Sequence, residues 1–435
     1  MTTIEVSGQE WMGTDFRAQM QEYIDWAGPT TVVKAGTQLS ITRGDPEGLF
    51  GRAHWSGTSF GYATTNDDDP TPISGIATEF HLFRSDGLVP ELNFSEFSVS
   101  LVDSYNALST SIDAFLDLLG DIEFFGGQGI DFVQLGSGND TFRGNGGHDT
   151  FYGMGGNDTL WGAGGDMLYG GTGNDVYIVT VPGDTITELP GEGYDTVNAY
   201  RSWILPDNVE KLVLVNRALN GTGNALDNML VGNSWNNTLD GKAGNDTYVV
   251  STGDRTIELA GEGTDTVRSD VDWILGANIE RLEFLGPADL TGNGNTLNNT
   301  LVGNDGKNIL RGGAGNDTLS GGKGSDTLVG GAGNDTFVFN RSLGGTNIDK
   351  INDYNPAQDT IQLDTKYFTG LVAGWLAAGA FHTGTGAHDA TDRIIYNATT
   401  GDLLFDKDGP GGAPALKFAL LSPGLAMTAN DFFIV

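Results

Sequence analysis

The sequence predicts a mainly β protein built on a parallel β-roll, from three features of residues 126–179. A glycine-rich nonapeptide repeats six times there, and the fifth copy lacks one turn residue. An acid recurs at the sixth place of the full copies and an apolar residue at the eighth, and the fifth copy keeps both residues. Glycine permits the positive φ angles of tight turns, and the three residues after each acid suffice for a short strand with its middle side chain inward. Stacked copies of this unit form a solenoid.

The acids and the apolar residues predict different parts of the roll. The acids are Asp131, Asp140, Asp149, Asp158, Asp166 and Asp175, and the apolar residues are Val133, Phe142, Phe151, Leu160, Leu168 and Tyr177. Carboxylates and turn carbonyls are hard oxygen ligands, and calcium takes six to eight of them. We therefore expect Ca2+ along both turn edges and an apolar interior. A flexible Gly/Asn/Asp-rich linker would not keep both places in phase over six copies.

These nonapeptides resemble the RTX (haemolysin-type calcium-binding repeat) family, whose pattern is Gly-Gly-x-Gly-x-Asp-x-apolar-x. The resemblance implies a roll in which each calcium ion lies between one turn and the next-but-one turn. It also implies secretion by a type I (ABC) exporter.

Composition narrows the function. The chain has 435 residues and a net charge of −35, which excludes a general nucleic-acid binder because such a protein needs a basic surface. There are no cysteines, so bound cations are the expected stabilising element of an exported chain this acidic. No apolar run is long enough to span a membrane, and the first residues do not resemble a Sec signal peptide.

The order of patterns along the chain predicts six regions. They are an N-terminal β-rich domain (1–104), a helix and linker that cap the roll (105–125), the first RTX block (126–179), a β-rich repeat unit ending in a degenerate second block (180–249), a second repeat unit ending in a third block (250–338), and a β-rich C-terminal unit with a type I secretion signal (339–435). The helix is expected over 105–119, where apolar residues recur on one face before Gly120.

The second block is degenerate at the acid place and the third is partly restored. Asn228 and Asn237 replace the acid in the second block, where only Asp246 remains, so we expect weaker calcium binding there. In the third block, Asn299 and Asn308 precede three acids. Pairing with the next-but-one turn predicts the sites Asn299 with Asp317, Asn308 with Asp326, and Asp317 with Asp335.

The C-terminal region carries two further family resemblances. Residues 349–364 resemble the segment that follows the roll in RTX proteases and lipases, where carboxylates can hold calcium. The candidates are Asp349, Asp353, Asp359 and Asp364, and a solvated acidic turn is the alternative. The ending NDFFIV resembles an uncleaved type I secretion signal, with an ordinary terminal β-strand as the alternative.

The sequence offers little catalytic machinery. There is no HExxH motif, and residues 57–61 (GTSFG) match G-x-S-x-G but lie in a strand-like context with no room for an α/β-hydrolase before the roll. His54 and His81 could hold a metal or haem, but half-buried strand histidines are the simpler interpretation.

We therefore expect a secreted, extracellular calcium-binding protein without catalytic activity that folds on calcium outside the cell. Its expected role is in surface attachment, matrix, adhesion or self-assembly, with a cell-surface or matrix polysaccharide as a further partner. The alternatives are a hydrolase or polysaccharide-acting enzyme with its active site in residues 1–120, and a ligand carrier such as a haem scavenger.

Overall fold

The computed structural model describes residues 2–6, 14–15, 30–35, 38–43, 52–62, 72–83, 92–100, 120–125 and 130–435, with side chains from residue 120 onward except 126–129 and 131. The chain divides into two compact units, Met1–Ala218 and Leu219–Val435. Within the described ranges, no helix has the length and hydropathy to cross a membrane.

Unit 1 opens with an antiparallel sheet, in the region predicted to be β-rich. Its strands are β1 (Thr2–Val6), β3 (Thr30–Ala35), β4 (Gln38–Arg43), β5 (Arg52–Tyr62), β6 (Pro72–Phe83) and β7 (Leu92–Ser100), and the two-residue β2 (Thr14–Asp15) pairs elsewhere. The sheet order is β3-β4-β5-β6-β7-β1. Residues 57–61 lie inside β5, so they do not form the strand-to-helix elbow that a nucleophilic serine needs. The helix expected over 105–119 lies outside the described residues.

The rest of unit 1 is a two-sheet parallel roll. Its strands are β8 (Ile122–Phe125), β9 (Asp131–Gln134), β10 (Thr141–Arg143), β11 (Thr150–Gly155), β12 (Thr159–Gly162), β13 (Met167–Thr172), β14 (Val176–Val179), β15 (Thr185–Ile186), β16 (Thr196–Ala199), β17 (Trp203–Ile204) and β18 (Lys211–Leu214). One sheet runs β8-β10-β12-β14-β16-β18 and the other β9-β11-β13-β15. Successive nonapeptides thus alternate between the sheets, and two of them make one coil.

The eighth-place side chains form the interior of this roll. Val133, Phe142, Phe151, Leu160, Leu168 and Tyr177 are all at most 1% exposed. Phe142 and Phe151 face each other from opposite sheets, with ring centroids 5.1 Å apart. Full burial of one such side chain contributes about 1.5–3 kcal/mol, so the apolar column is the main source of cohesion across the sheets.

Glycine is required where successive turns touch. Gly156 has φ 109°, and a Cβ there would collide with the carbonyl oxygen of Gly138 one coil away. Gly315 in unit 2 has φ 114° and meets the carbonyl of Leu297 in the same way. These turns stack closely only because no side chain intervenes.

Unit 2 repeats the roll and ends in a mixed sheet. Its strands are β19 (Asn220–Thr222), β20 (Met229–Val231), β21 (Thr238–Asp240), β22 (Thr247–Val250), β23 (Arg255–Ile257), β24 (Thr266–Ser269), β25 (Trp273–Ile274), β26 (Arg281–Phe284), β27 (Thr291–Asn293), β28 (Thr300–Val302), β29 (Ile309–Ala314), β30 (Thr318–Ser320), β31 (Thr327–Ala332), β32 (Thr336–Phe339), β33 (Asp349–Ile351), β34 (Thr360–Leu363), β35 (Gly374–Trp375), β36 (Phe381–Thr383), β37 (Ile394–Asn397), β38 (Asp402–Phe405), β39 (Leu416–Leu420) and β40 (Phe432–Ile434). Two short 3-10 turns, Ala378–Ala380 and Ala429–Asp431, accompany them.

The residues between the nonapeptide blocks are coils of the roll rather than departures from it. In unit 1, β14 pairs in register with β16, and β16 with β18. In unit 2, β22, β24, β26 and β28 pair consecutively in the same way. The end of a nonapeptide block therefore does not mark a boundary of the fold. The boundary between the two compact units, at residues 218 and 219, falls inside the predicted 180–249 repeat unit.

The C-terminal strands close the roll of unit 2. Strands β37 and β38 form a hairpin about residues 398–401, and β39 joins β38 to β33. The final strand β40 pairs in parallel with β34, and its Phe432 and Ile434 are buried. The segment that resembles a secretion signal is thus also a strand of the folded protein.

Candidate calcium sites

The sixth-place acids lie in the turns with their carboxyl groups directed inward. None of these nine is more than 2% exposed: Asp140, Asp149, Asp158, Asp166, Asp175, Asp246, Asp317, Asp326 and Asp335. The side chain of Asp131 lies outside the described residues. Burial of so many carboxyl groups is expensive unless each is compensated, so their partners decide what the turns can bind.

One edge of unit 1 carries a column of acids, here called the first acid ladder: Asp140, Asp158, Asp175 and Asp195. The Oδ1 atoms of the last three each accept the backbone N–H of the acid one coil before, and Asp140 Oδ1 accepts that of Ile122 at 2.7 Å. The distances are 2.7 Å from Asp140 N to Asp158 Oδ1, 2.7 Å from Asp158 N to Asp175 Oδ1, and 2.8 Å from Asp175 N to Asp195 Oδ1. The Oδ2 atoms of Asp158, Asp175 and Asp195 are buried without a hydrogen-bond partner.

The opposite edge carries the second acid ladder of unit 1, Asp149, Asp166 and Asp184. Asp149 N donates to Asp166 Oδ1 at 2.9 Å, and Asp166 N donates to Asp184 Oδ1 at 3.1 Å. Asp166 belongs to the shortened fifth copy, and there Ala163 N–H satisfies its Oδ2 at 2.8 Å. The Oδ2 atom of Asp184 is buried without a hydrogen-bond partner, so this edge also holds an oxygen atom that a cation could bind.

The pairs predicted for the third block are brought together in unit 2. Asn299 N donates to Asp317 Oδ1 at 2.7 Å and Asp317 N to Asp335 Oδ1 at 2.9 Å, along one edge. Asn308 N donates to Asp326 Oδ1 at 2.7 Å on the other edge. Oδ2 of Asp317 and of Asp326 is buried and unpartnered.

The asparagines at acid places satisfy their own turns. The Oδ1 atom of each accepts the backbone N–H four residues earlier, at 2.7 to 2.8 Å, in Asn228, Asn237, Asn299 and Asn308. The amide thus holds the turn as a neutral side chain. The degenerate turns keep the coil without requiring a cation, and Asn299 and Asn308 offer a cation only the remaining lone pair of each carbonyl.

The four acids predicted after the roll have different surroundings. Asp349 and Asp359 continue the two columns of acids in unit 2. Asp326 N donates to Asp349 Oδ1 at 3.1 Å, and Asp335 N donates to Asp359 Oδ1 at 3.0 Å. Asp353 is exposed and accepts N–H groups of Gly330 and Gly331 at 3.0 and 2.9 Å. The carboxylate of Asp364 accepts only the local N–H of Lys366 among the bonds described, so it stands apart from the stacked acids of the roll.

Sequence reasoning missed two acid clusters between the blocks. Asp175, Glu188 and Asp195 are fully buried and bring one oxygen each within 4.8 Å of the others. Asp246, Glu258 and Asp265 repeat the arrangement in unit 2. A signal existed: the eighth place becomes Tyr177 or Tyr248 just before each, followed by ELPGEG (188–193) or ELAGEG (258–263).

The tyrosines connect these clusters, here called the acid triads, to the turn glycines. The Tyr177 hydroxyl donates to Glu188 Oε1 and accepts Gly170 N–H at 2.6 Å. Tyr248 does the same between Glu258 and Gly241 N–H, the latter at 2.8 Å. One glutamate oxygen is thus satisfied, and Oε2 of each glutamate remains buried without a partner.

Burial raises the pKa values of these carboxyl groups. Desolvation is the largest cause, and repulsion between neighbouring acids adds to it. It raises the pKa of Asp158 and of Glu188 to about 8, and that of Asp195 and of Asp246 to about 7. Near neutral pH each group must therefore keep a proton or receive a compensating cation.

The space beside the unpartnered oxygens fits a cation with oxygen ligands. A Cβ placed on Gly153 would collide with Asp158 Oδ2 and would lie 2.6 Å from the carbonyl oxygen of Gly170 on the next coil. Gly312 repeats this with Asp317 Oδ2 and the Gly330 carbonyl, again at 2.6 Å. Carboxylate and carbonyl oxygens from successive coils thus converge on a space that glycine keeps open. Such oxygen atoms are the ligands that calcium prefers.

Glu188→Gln is expected to weaken calcium binding by the unit 1 triad at least about tenfold, because calcium affinity depends on the number of charged ligands. Above about pH 8, where Glu188 would be ionised, the same change should also stabilise the calcium-free chain by removing one buried negative charge. Isothermal titration of calcium into each protein measures the first effect. Glu258→Gln should reproduce it in unit 2, whereas Glu123→Gln, on the outer face beside Arg143, is the control. Equal calcium binding by Glu188→Gln and Glu123→Gln would contradict the assignment.

Parallel coils with buried oxygen ligands along their edges define the class: a calcium-binding β-roll repeat protein. The family described as the RTX calcium-binding nonapeptide repeat (4 copies) matches residues 125–160, 162–177, 222–257, 293–328 and 302–337. The chain belongs to this family of RTX repeat proteins, and the mainly β roll and the calcium cofactor predicted from its sequence are confirmed. The repeat region itself is non-catalytic.

Among solved structures, the chain is similar to a subunit of the mannuronan C5-epimerase from Azotobacter vinelandii, with 30% identity over 34% of this chain and 80% of that chain and a TM-score of 0.24. It is also similar to the extracellular lipase of Serratia marcescens, with 16% identity over 73% of this chain and 40% of that one and a TM-score of 0.15. Both TM-scores are low, and the activities of those proteins are not carried over. No curated protein matches the chain.

Proposed function

We propose that this protein is secreted unfolded by a type I exporter and folds outside the cell on calcium into a non-catalytic surface or matrix protein. The observation that carries the proposal is the set of buried carboxylate oxygens without partners on both edges of the roll. A protein that needed only its own hydrogen bonds would satisfy these atoms, as its asparagine turns do.

The same atoms supply the folding switch. At cytosolic calcium levels the stacked acids repel one another, and ordering a chain with 67 glycines costs much conformational entropy. Calcium outside the cell binds only the folded turns, because the ligands of one ion come from different coils. Binding therefore draws the equilibrium toward the folded roll.

Aromatic side chains on the outside of the roll support the surface role. Phe132, Tyr152 and Tyr169 lie on adjacent strands of one sheet, half-buried, next to fully buried core residues. The centroids are 5.6 Å apart for Phe132 and Tyr152, and 4.4 Å for Tyr152 and Tyr169, which are nearly parallel. A flat aromatic column of this kind offers apolar contact area at low entropic cost, to another copy of the chain or to a sugar ring.

Calcium-dependent assembly tests the role. Adding calcium to the chelated full-length chain is expected to produce particles larger than one folded chain, followed by dynamic light scattering. Replacing Tyr152 and Tyr169 by serine should reduce particle growth but not the calcium-induced compaction. The control is Tyr200→Ser, at an exposed tyrosine outside this aromatic column, and it should leave particle growth unchanged. A wild-type chain that compacts but stays monomeric in calcium would contradict self-assembly. Activity of that chain on a hydrolase panel would favour the enzyme alternative.

A further inference from the structure

Three side chains near the end of unit 2 form a cluster that the calcium ladders do not include. His382, His388 and Asp392 each offer one ligand atom, and these atoms all lie within 4.8 Å of one another. His382 lies on β36, while His388 and Asp392 lie in the loop between β36 and β37. The cluster therefore brings a strand and its following loop to one point.

The backbone fixes this arrangement from both sides. Strand β36 pairs in parallel with β37, with His382 opposite Ile395. Asp392 is only 4% exposed, and its Oδ2 accepts the backbone N–H groups of His388 at 2.5 Å and of Asp389 at 2.9 Å. The loop is thus wrapped around a buried carboxylate, which places His388 beside His382.

The two imidazole rings face each other, and access to them is open. Their centroids are 5.4 Å apart at an interplanar angle of 18°. His388 is exposed and His382 is half-buried, so an ion can enter from solvent. A Cβ on Gly384 would lie 2.5 Å from His382 Nε2, so glycine at this position keeps that nitrogen uncovered.

The donor set separates this cluster chemically from the calcium turns. Two imidazole nitrogens and one carboxylate oxygen suit a borderline cation such as Zn2+, whereas calcium takes six to eight oxygens. Asp389 adds a negative charge at the rim, with Oδ2 3.7 Å from His388 Nδ1. A divalent cation there would neutralise the buried carboxylate of Asp392.

We propose that His382, His388 and Asp392 form a transition-metal site that binds Zn2+, with a fourth tetrahedral position left to water. The ion links the loop to β36 and is independent of the calcium ions of the roll. Its ligands come from three points on 11 residues of chain, and none belongs to a nonapeptide.

The test is a zinc titration of the calcium-saturated, full-length protein by isothermal calorimetry. We expect wild-type protein to bind one equivalent of zinc. The His388→Gln variant should bind zinc at least about tenfold more weakly or not at all, since loss of even a supporting group at a metal site lowers affinity by that factor. His382→Gln should behave likewise. His148→Gln, which removes an exposed histidine in unit 1, should bind zinc as wild type does.

Cobalt provides a second readout. Co2+ in place of Zn2+ is expected to give a visible absorption band of tetrahedral coordination in wild-type protein and in His148→Gln, and no such band in His388→Gln. Far-UV circular dichroism in calcium checks that each variant folds, which also separates a failure of this site from a failure of the calcium switch. Equal zinc binding by wild type and both ligand variants, no zinc binding by wild type, or displacement of zinc by excess calcium would overturn the proposal.

Discussion

Removal of calcium is expected to abolish the β signal of the roll. At a free calcium concentration 100 times the dissociation constant, each site contributes about 2.7 kcal/mol, whereas a native domain has a net stability of only about 5–15 kcal/mol. Several sites together therefore exceed the margin by which the roll is folded. The buried acids make the loss larger, since without a cation Asp158 and Asp175 lie one coil apart, each with an unpartnered Oδ2 atom.

Far-UV circular dichroism of the full-length chain, recorded in calcium and then in excess chelator, measures this effect. Re-addition of calcium should restore the spectrum, while the same concentration of magnesium should not, because Mg2+ requires a compact octahedral shell at about 2.0–2.1 Å. A roll that keeps its strand signal and cooperative melting in chelator would show that the hydrogen-bonded coils suffice without metal.

Acidification is expected to act in opposite directions on the calcium-free and the calcium-loaded chain. The folded-state pKa of Asp158 is raised to about 8 and that of Asp195 and Asp246 to about 7, against an unfolded value of about 3.9. A group with a raised pKa binds its proton more tightly in the folded state. The calcium-free roll should therefore lose stability as pH rises from about 4 to about 8, and regain β signal as pH falls.

Calcium reverses this dependence because it competes with the same protons. As pH falls from about 8 to about 6, the carboxylates protonate and apparent calcium affinity should decrease. Melting curves at several pH values, in metal-depleted buffer and in calcium, separate the two cases. Asp158→Asn should flatten the pH dependence of the metal-free chain between about pH 4 and 8, whereas Asp389→Asn, at an exposed acid, should leave it unchanged in that range. Metal-free stability that rises with pH would contradict the assignment.

Much of the ladder geometry could be predicted because a repeat fixes its own contacts. Two nonapeptides make one coil, so residues 18 apart in sequence become neighbours on successive coils. The pairs are Asp140 with Asp158, Asn299 with Asp317, and Asn308 with Asp326. The same period places Phe142 and Phe151 inside. These positions follow from spacing and from the inward direction of every second strand residue.

The acid triads were not predictable in this way because they interrupt the period. Glu188 and Glu258 lie in turns of a different length, and their carboxyl groups reach the ladders only because β14 and β22 continue in register into β16 and β24. The degenerate second block is a similar case. Its asparagines looked like weakened ligands, yet their amide oxygens bond the N–H four residues earlier and hold the turn.

The repeat period can be read from the residues alone, and with it the roll, its apolar column, the calcium chemistry and the membership in the RTX family, because those properties depend on residue type at a repeated position. The fold was needed to show which oxygens are satisfied and which are left for a cation, and that His382, His388 and Asp392 meet. These depend on the paths of irregular turns, where no repeat relates one residue to the next.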